Sequence, residues 1–135
     1  MTFTIGEILE GLRDLTLQQA LDHLRKNKSP TLWFLLKETL SPEEFDKGVL
    51  DTTFTYSLLP MGLAENNLYF EIKRLYIFKT TSVVALPRKK TIFIQILESL
   101  HRIESDIFLS VVSGTFYNRY VNLNPTDIRN LITSN

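Results

Sequence analysis

A chain of 135 residues has the length of one ordinary domain, and folding at this length buries about two-thirds of the surface that the unfolded chain exposes. Its 15 basic and 15 acidic side chains leave no net charge, which counts against strong non-specific DNA binding but is compatible with a local basic patch. The absence of cysteine excludes disulfide bonds, cysteine nucleophiles and thiolate metal sites.

Two capping boxes mark the first two helices of the sequence. Thr4 with Glu7 and Thr16 with Gln19 have the spacing at which a hydroxyl and a carboxylate or amide satisfy backbone donors at a helix start. Each is followed by a short stripe of apolar residues at helical spacing. The stripes are Ile5, Ile8, Leu9 and Leu12, then Leu17, Ala20, Leu21 and Leu24.

The next two helix starts are serine–proline pairs. Ser29 caps a third helix with Pro30 at its first position, and Ser41 with Pro42 opens a short fourth helix that reaches about Lys47. The third helix is apolar around most of its circumference, so we expect it to be central and buried. Its apolar residues are Leu32, Trp33, Phe34, Leu35, Leu36 and Leu40.

The middle of the chain alternates between loop and helix. Residues 49–63 sustain no period and contain Pro60 and Gly62, which predicts an ordered loop. Helical spacing then predicts a fifth helix over residues 65–79. Residues 80–86 are rich in Thr and Val but short, so they are interpreted as a loop or one extended segment. The spacing of the fifth helix is set by Leu68, Ile72, Leu75 and Phe78.

Residues 87–114 are the stretch around which the fold is expected to be organised. Apolar residues recur there at helical spacing, polar residues at 102–106 divide the stretch into two successive helices, and Gly114 is a natural helix end. Residues 115–123 are either an extended loop or a small ribbon, and Asn124 caps a last short helix. The sequence therefore predicts one all-α domain over residues 1–135, a compact bundle of about seven short helices with an extended loop before the last one.

Most chemical sites are excluded by spacing. The five glycines are scattered, so no glycine-rich phosphate loop is formed. Glu98 and His101 match one half of a di-iron helix motif, but the motif has no second copy and both residues lie off the apolar stripe, facing solvent. No complete catalytic set is present, and neither a metal nor a cofactor is predicted, so the protein is expected not to be an enzyme.

The N-terminal segment and the lengths of the apolar runs are used to predict the cellular location. The N-terminal segment has no basic region, which argues against a secretory signal. The apolar runs are far shorter than the ~20 residues that span a bilayer, so no membrane partner is predicted. A cytoplasmic location is expected.

A basic cluster precedes or opens the helix near residue 91. Arg88, Lys89 and Lys90 would oppose the helix dipole by about 0.3–1 kcal/mol each within the first turn. One interpretation is that the charges bind phosphate or an acidic partner. The other is that Thr91 is the N-cap and that the three charges only solvate a loop.

A second candidate feature places aromatic side chains around one guanidinium. The segment Phe116, Tyr117, Asn118, Arg119 and Tyr120 is suited to stacking on bases or to anchoring a protein interface. The alternative is that Phe116 and Tyr120 tie the segment to the core.

Three runs carry a resemblance to known proteins. They are LRKNKSPTL at residues 24–32, NLYFEIKRLYIF at 67–78 and IQILESLH at 94–101. The chain resembles a family of small proteins of T-even-like phages, including cyanophages. That family is similar to the helical N-terminal DNA-binding domain of the ATP-dependent DNA ligase of T-even phages.

The resemblance implies a helical domain that binds duplex DNA without ligase chemistry, because the Lys-x-Asp-Gly motif of the ligases does not occur here. The first hypothesis is thus a non-enzymatic phage accessory protein in the host cytoplasm. It would bind double-stranded DNA through Arg88, Lys89, Lys90, Tyr117 and Arg119. The alternative hypothesis is a protein-interaction module that acts on a phage or host protein during infection.

Overall fold

Helices account for most of the part of the chain that the computed structural model describes, residues 4–57 and 66–134. This part contains α-helices and short 3₁₀ segments but no β-strand, which confirms the predicted all-α class. The α-helices are α1 Ile5–Glu10, α2 Leu17–Lys26, α3 Pro30–Glu38, α4 Leu68–Glu71, α5 Leu86–Ser99, α6 Arg102–Ser113, α7 Phe116–Arg119 and α8 Pro125–Thr133. The 3₁₀ segments are Pro42–Glu44, Lys47–Leu50 and Ile72–Phe78.

The predicted helix starts are confirmed where local chemistry sets them. Both capping boxes form, so that the hydroxyls of Thr4 and Thr16 accept from the third backbone amide of α1 and α2. The Ser29 hydroxyl accepts from the Leu32 amide at 3.1 Å, with proline at the first position of α3. At the end of α6, Gly114 adopts the left-handed conformation with φ 81°, which only glycine adopts without strain.

Helix α6 lies at the centre of the bundle and contacts α1, α4, α5, α7 and all three 3₁₀ segments. Phe108 of α6 packs against Phe78 and Phe93, with ring centroids 5.9 and 6.1 Å away. The expectation that α3 is central and buried holds for one face only, because Leu32, Leu35 and Leu36 are buried whereas Phe34 is 40% exposed. The buried face packs against α8 and the segment Ile72–Phe78.

The predicted fifth helix is the largest departure from the sequence analysis. Only α4 is α-helical, and the following Ile72–Phe78 is a 3₁₀ helix. With three residues per turn, a 3₁₀ helix brings Ile72, Leu75 and Phe78 onto one face, and all three are buried. In an α-helix Phe78, six residues after Ile72, would have rotated away from the face that Ile72 presents to the core. The start predicted at residue 65 lies outside the described residues.

Two other segments also differ from the prediction. The predicted fourth helix is two 3₁₀ turns, Pro42–Glu44 and Lys47–Leu50, on either side of the buried Phe45. The extended loop or ribbon predicted at residues 115–123 is wrong, because α7 forms there. Phe116 and Tyr120 are four residues apart, and one helical turn directs both rings into the core. Of the loop predicted at residues 49–63, residues 58–63 lie outside the described part.

A buried carboxylate joins three of the helices. Glu104 of α6 is 2% exposed, and its two oxygens accept from the Gly6 amide of α1 at 3.1 Å and from the Leu68 amide of α4 at 3.0 Å. The Glu104 side chain lies so close to the backbone at Gly6 that a Cβ at that position would be 2.8 Å from Cγ of Glu104. Both amides belong to the first turn of their helix, where backbone donors lack intrahelical partners. Glu104 therefore caps α1 and α4 at once.

The environment of Glu104 predicts how stability depends on pH. Burial raises the pKa of this carboxyl above its ordinary value of 4.5, although the two amide hydrogen bonds act in the opposite direction. The folded protein therefore keeps the proton to a higher pH than the unfolded chain does. Stabilisation by this group is complete below about pH 4.5 and is lost as pH rises through the folded pKa.

The measurement is the free energy of unfolding by urea at several pH values for the wild type and for Glu104→Gln, which does not titrate. The difference, wild type minus variant, should fall as pH rises above 4.5. A difference that rises with pH would show that the two amide hydrogen bonds lower the pKa of Glu104 by more than burial raises it.

Candidate functional site

Lys89 of the predicted basic cluster lies inside the fold. Its side chain is 4% exposed, and Nζ donates to the Lys79 carbonyl at 2.8 Å and to Asp46 Oδ2 at 3.3 Å. Asp46 also accepts from the Gly48 amide at 3.0 Å, and this hydrogen bond lowers the pKa of the Asp46 carboxyl. Lys89 thus ties α5 to the two 3₁₀ segments before it, and the ammonium group is not free to contact a ligand.

Arg88 and Lys90 remain at the surface. Arg88 is exposed, whereas Lys90 is partly exposed and has Nζ 3.8 Å from Asp51. The alternative in which Thr91 is the N-cap is wrong, because α5 begins at Leu86 after Ala85 and no side chain caps it. The cations therefore lie within the helix, where its first turn contains no acidic residue. Side chains two residues apart do not share a helix face, so Arg88 and Lys90 point in different directions.

Arg119 belongs to a network that ties α7 to α1. Its guanidinium is 2.7 Å from Glu10 and 3.9 Å from Asp106, and the Tyr120 hydroxyl donates to Glu10 at 3.0 Å. Burial alone would raise the pKa of Glu10, but hydrogen bonds from Tyr120 and Arg119 lower it below the usual value. The side chain of Arg119 is 21% exposed. Contact with a phosphate would require Arg119 to leave this paired position.

The aromatic residues around Arg119 are anchored as well. Phe116 and Tyr120 are buried, as the core interpretation predicted, with ring centroids 4.9 Å apart. The hydroxyl of Tyr117 lies 2.7 Å from that of Thr39 at the end of α3. Tyr117 and Arg119 therefore hold α7 against the bundle, and neither converges with Arg88 and Lys90 through any contact among the described residues.

A groove of about 640 Å³ lies beside this network, lined by Arg13, Phe54, Asp106, Ser113, Asn118 and Arg119 among others. Asp106 accepts from the Tyr56 hydroxyl at 2.5 Å and lies next to Arg119, so its charge is already paired. Glu10 is shared between Arg119 and Arg13, the latter at 3.4 Å. The charges around the groove are satisfied by one another, which is the pattern of a structural network.

The two residues of the partial metal motif also have structural partners. Glu98 is exposed and accepts from the Thr55 amide at 2.9 Å. His101 is partly buried, which corrects the expectation that it faces solvent, because Nδ1 caps α6 by accepting from the Ile103 amide at 3.1 Å. Within the described ranges, no three His, Asp or Glu side chains are grouped closely enough to hold a metal ion.

A surface that the sequence analysis missed lies between α3 and α4. Here lies a groove of about 360 Å³, which we call the α3–α4 groove. It is lined by Ser29, Pro30, Thr31, Phe34, Tyr69, Ile72 and Lys73. Phe34 is 40% and Tyr69 48% exposed. Beside the groove, Phe70 is 60% exposed and its ring meets that of Tyr69 edge-on at 5.5 Å. Large apolar side chains at the rim of a concave surface are typical of binding sites.

The groove was missed because its residues were assigned to helices with the wrong buried face. Phe34 was assigned to a helix that is apolar around most of its circumference and was expected to be buried. Tyr69 and Phe70 were assigned to a regular α-helix, although they lie off the stripe of Leu68 and Ile72. The available signal was the presence of two adjacent aromatic residues outside that apolar stripe.

Comparisons of the chain with protein-family models, with curated proteins and with solved structures found no match. The resemblance to phage proteins and to the ligase domain therefore stays a prediction. None of the helices in residues 4–57 and 66–134 has the length and apolar character that crossing a bilayer requires.

The position of Lys89 predicts a loss of stability on substitution. Lys89→Ala removes the donor that the Lys79 carbonyl shares with Asp46, and Asp46 keeps only the Gly48 amide. A polar group left without its partner inside the fold, here the Lys79 carbonyl, costs about 1–3 kcal/mol. Urea unfolding should show a decrease of this size for Lys89→Ala, whereas Lys90→Ala on the same helix should stay within about 0.5 kcal/mol of the wild type. Equal stability of the two variants would contradict the internal role of Lys89.

Proposed function

We propose that the protein is a non-enzymatic interaction domain that binds a protein partner through the α3–α4 groove. The observation that carries this proposal is the exposure of Phe34, Tyr69 and Phe70 beside a concave surface. Aromatic side chains are enriched among the residues that supply most of the energy of protein interfaces. Covering a large apolar side chain that is otherwise in water is worth about 1.5–3 kcal/mol.

The groove is also supported from below by the core. Ile72 is fully buried at its base, and Leu32, Leu35 and Leu36 hold α3 in place. The Ser29 cap fixes the start of α3, and Glu104 together with the Asn67 cap fixes the start of α4. A surface whose two walls are fixed in this way loses little conformational entropy when a partner binds.

The proposal predicts the outcome of affinity capture from nuclease-treated lysate of the cells in which the protein is made. Tyr69→Ala with Phe70→Ala removes the two aromatic rings. The amount of partner captured should fall at least about tenfold, which corresponds to a loss of about 1.4 kcal/mol of binding free energy. The matched control is Val83→Ala with Val121→Ala, which removes two exposed apolar side chains elsewhere. Quantitative mass spectrometry compares the captured proteins.

A partner that depends on the aromatic pair but not on the control pair supports the proposal. A partner retained equally by both double variants would place the interface elsewhere on the protein. Circular dichroism of each variant establishes that both pairs keep the wild-type helix content.

Duplex DNA is a second candidate partner, and the observation that favours it is the surface position of Arg88 and Lys90. Both lie in the first turns of α5, which contain no acidic residue of their own, although the two side chains face different directions and Lys90 has Asp51 3.8 Å away. Cations retained at an unfavourable helix end are consistent with binding to phosphate. Lys89 has no part in this candidate surface, since its ammonium group is bound inside the fold.

Fluorescence anisotropy with nicked, intact and single-stranded DNA at two salt concentrations tests this candidate. If DNA is the partner, affinity should fall steeply with salt, and Arg88→Glu with Lys90→Glu should abolish binding. Lys37→Glu with Arg129→Glu, which changes the net charge equally at other exposed sites, should retain most of it. An absence of wild-type binding at low salt would discard DNA as a partner.

A further inference from the structure

We infer that the α3–α4 groove binds an acidic segment of the partner protein, one that inserts a single large apolar side chain between Phe34 and Tyr69. This inference rests on the proposed function, because it specifies the chemistry of the partner at the same surface. It is carried by the size of the groove, by its apolar walls and by the unpaired lysines around it.

The size of the groove limits what enters it. A volume of about 360 Å³ is near the lower end of pockets that hold small ligands. An α-helix with its side chains is about 10–12 Å across, so a whole helix lies over such a groove and does not fill it. A projecting side chain is the element of the right size.

The walls select an apolar side chain. Phe34 and Tyr69 contribute rings, Pro30 contributes its ring methylenes, and Ile72 is fully buried at the base. The Ser29 hydroxyl is occupied in capping α3, where it accepts from the Leu32 amide. An inserted apolar group therefore gains contact with the three apolar side chains exposed in the walls, Phe34, Tyr69 and Pro30, and displaces no hydrogen bond that the described residues make.

The charges around the groove are positive. Lys73 is exposed, lines the groove and has Nζ 5.7 Å from the centroid of the Tyr69 ring. Lys28 directly precedes Ser29, with Nζ 5.7 Å from the centroid of the Trp33 ring. Neither ammonium group forms an ion pair within residues 4–57 and 66–134. A carboxylate from a partner would therefore meet the Lys73 ammonium at the groove, and that of Lys28 beside Trp33, which does not line the groove, without a competing acid among the described residues.

Among the described residues, the carboxylate that adjoins the groove residues in the sequence is turned inward. Glu71 lies between Tyr69 and Ile72 in the sequence but is 5% exposed. Its oxygens accept from the Asn66 side chain at 2.5 Å and from Arg74 at 3.0 Å. The charge of Glu71 is thus paired with Arg74. The rim of the groove keeps the positive charge of its lysine although the net charge of the whole chain is zero. Charge of one sign beside an interface selects partners of the opposite sign.

The test uses three designed 15-residue peptides that carry one central tryptophan flanked by glutamate, by serine or by lysine. Each is titrated into the full-length ¹⁵N-labelled protein while the amide resonances of Phe34, Tyr69, Ile72 and Lys73 are followed. We expect the glutamate peptide to shift these resonances and to bind about tenfold more tightly than the serine peptide, as two favourable ion pairs allow. The lysine peptide should bind most weakly.

Variants separate the contribution of the lysine charges from that of the inserted apolar side chain. Lys28→Ala with Lys73→Ala should remove the advantage of the glutamate peptide over the serine peptide, and the matched control Lys26→Ala with Lys37→Ala should keep it. Replacing the central tryptophan of the glutamate peptide by serine should abolish the shifts. Sedimentation velocity of the wild type and of Tyr69→Ala reports whether a second copy of the chain occupies the groove.

The outcomes distinguish this inference from the function on which it rests. Equal affinity for the glutamate and serine peptides, or no shift of the groove resonances with the glutamate peptide, overturns the acidic partner segment. The lysate capture then still decides the proposed function on its own. A wild-type dimer that Tyr69→Ala dissociates also overturns the inference, because a second copy would be the occupant.

Discussion

The two hydrogen bonds that Glu104 accepts set the arrangement of the rest of the bundle. One carboxylate on α6 fixes the first turn of α1 through Gly6 and the first turn of α4 through Leu68. Residue 6 has room only for glycine, because the Glu104 side chain occupies the space of a Cβ. The exposed aromatic residues that follow Leu68 are held in position by the same contact. A single buried acid thus links the core to the surface that we propose as the binding site.

Most of the charged residues that attracted notice in the sequence stabilise this arrangement. Lys89 joins α5 to Asp46 and the Lys79 carbonyl, and Arg119 joins α7 to Glu10. Such groups pair because an unpaired charge inside a fold costs several kcal/mol, on the order of the stability of a small domain. The charges that remain free for a partner are fewer than the composition implies, and Lys28 and Lys73 are among them.

The features that sequence analysis predicted correctly depend on neighbours within four residues. The capping boxes of α1 and α2, the Ser29 cap and the Gly114 helix end are of this kind. The presence of two successive helices, α5 and α6, was also predicted correctly, but their division lies at Leu100 and His101 and not at residues 102–106. The features that it missed depend on distant contacts. Glu10 and Arg119 are 109 residues apart, and Lys89 and Asp46 are 43 apart. No periodicity carries that information, and the three-residue spacing of Ile72, Leu75 and Phe78 was hidden because it also begins an α-helical pattern.

The 3₁₀ form of Ile72–Phe78 also fixes a length. At about 2.0 Å per residue its seven residues span about 14 Å, whereas an α-helix of the same residues spans about 10.5 Å. This spacer connects the groove, where Ile72 lies at the base, to Lys79, whose ammonium is 2.9 Å from Glu38 and whose carbonyl accepts from Lys89. Rewinding the spacer as an α-helix would draw its two ends together by about 3.5 Å and turn Phe78 out of the aromatic core. The contacts at both ends therefore hold the segment at the length of a 3₁₀ helix and oppose its conversion to an α-helix.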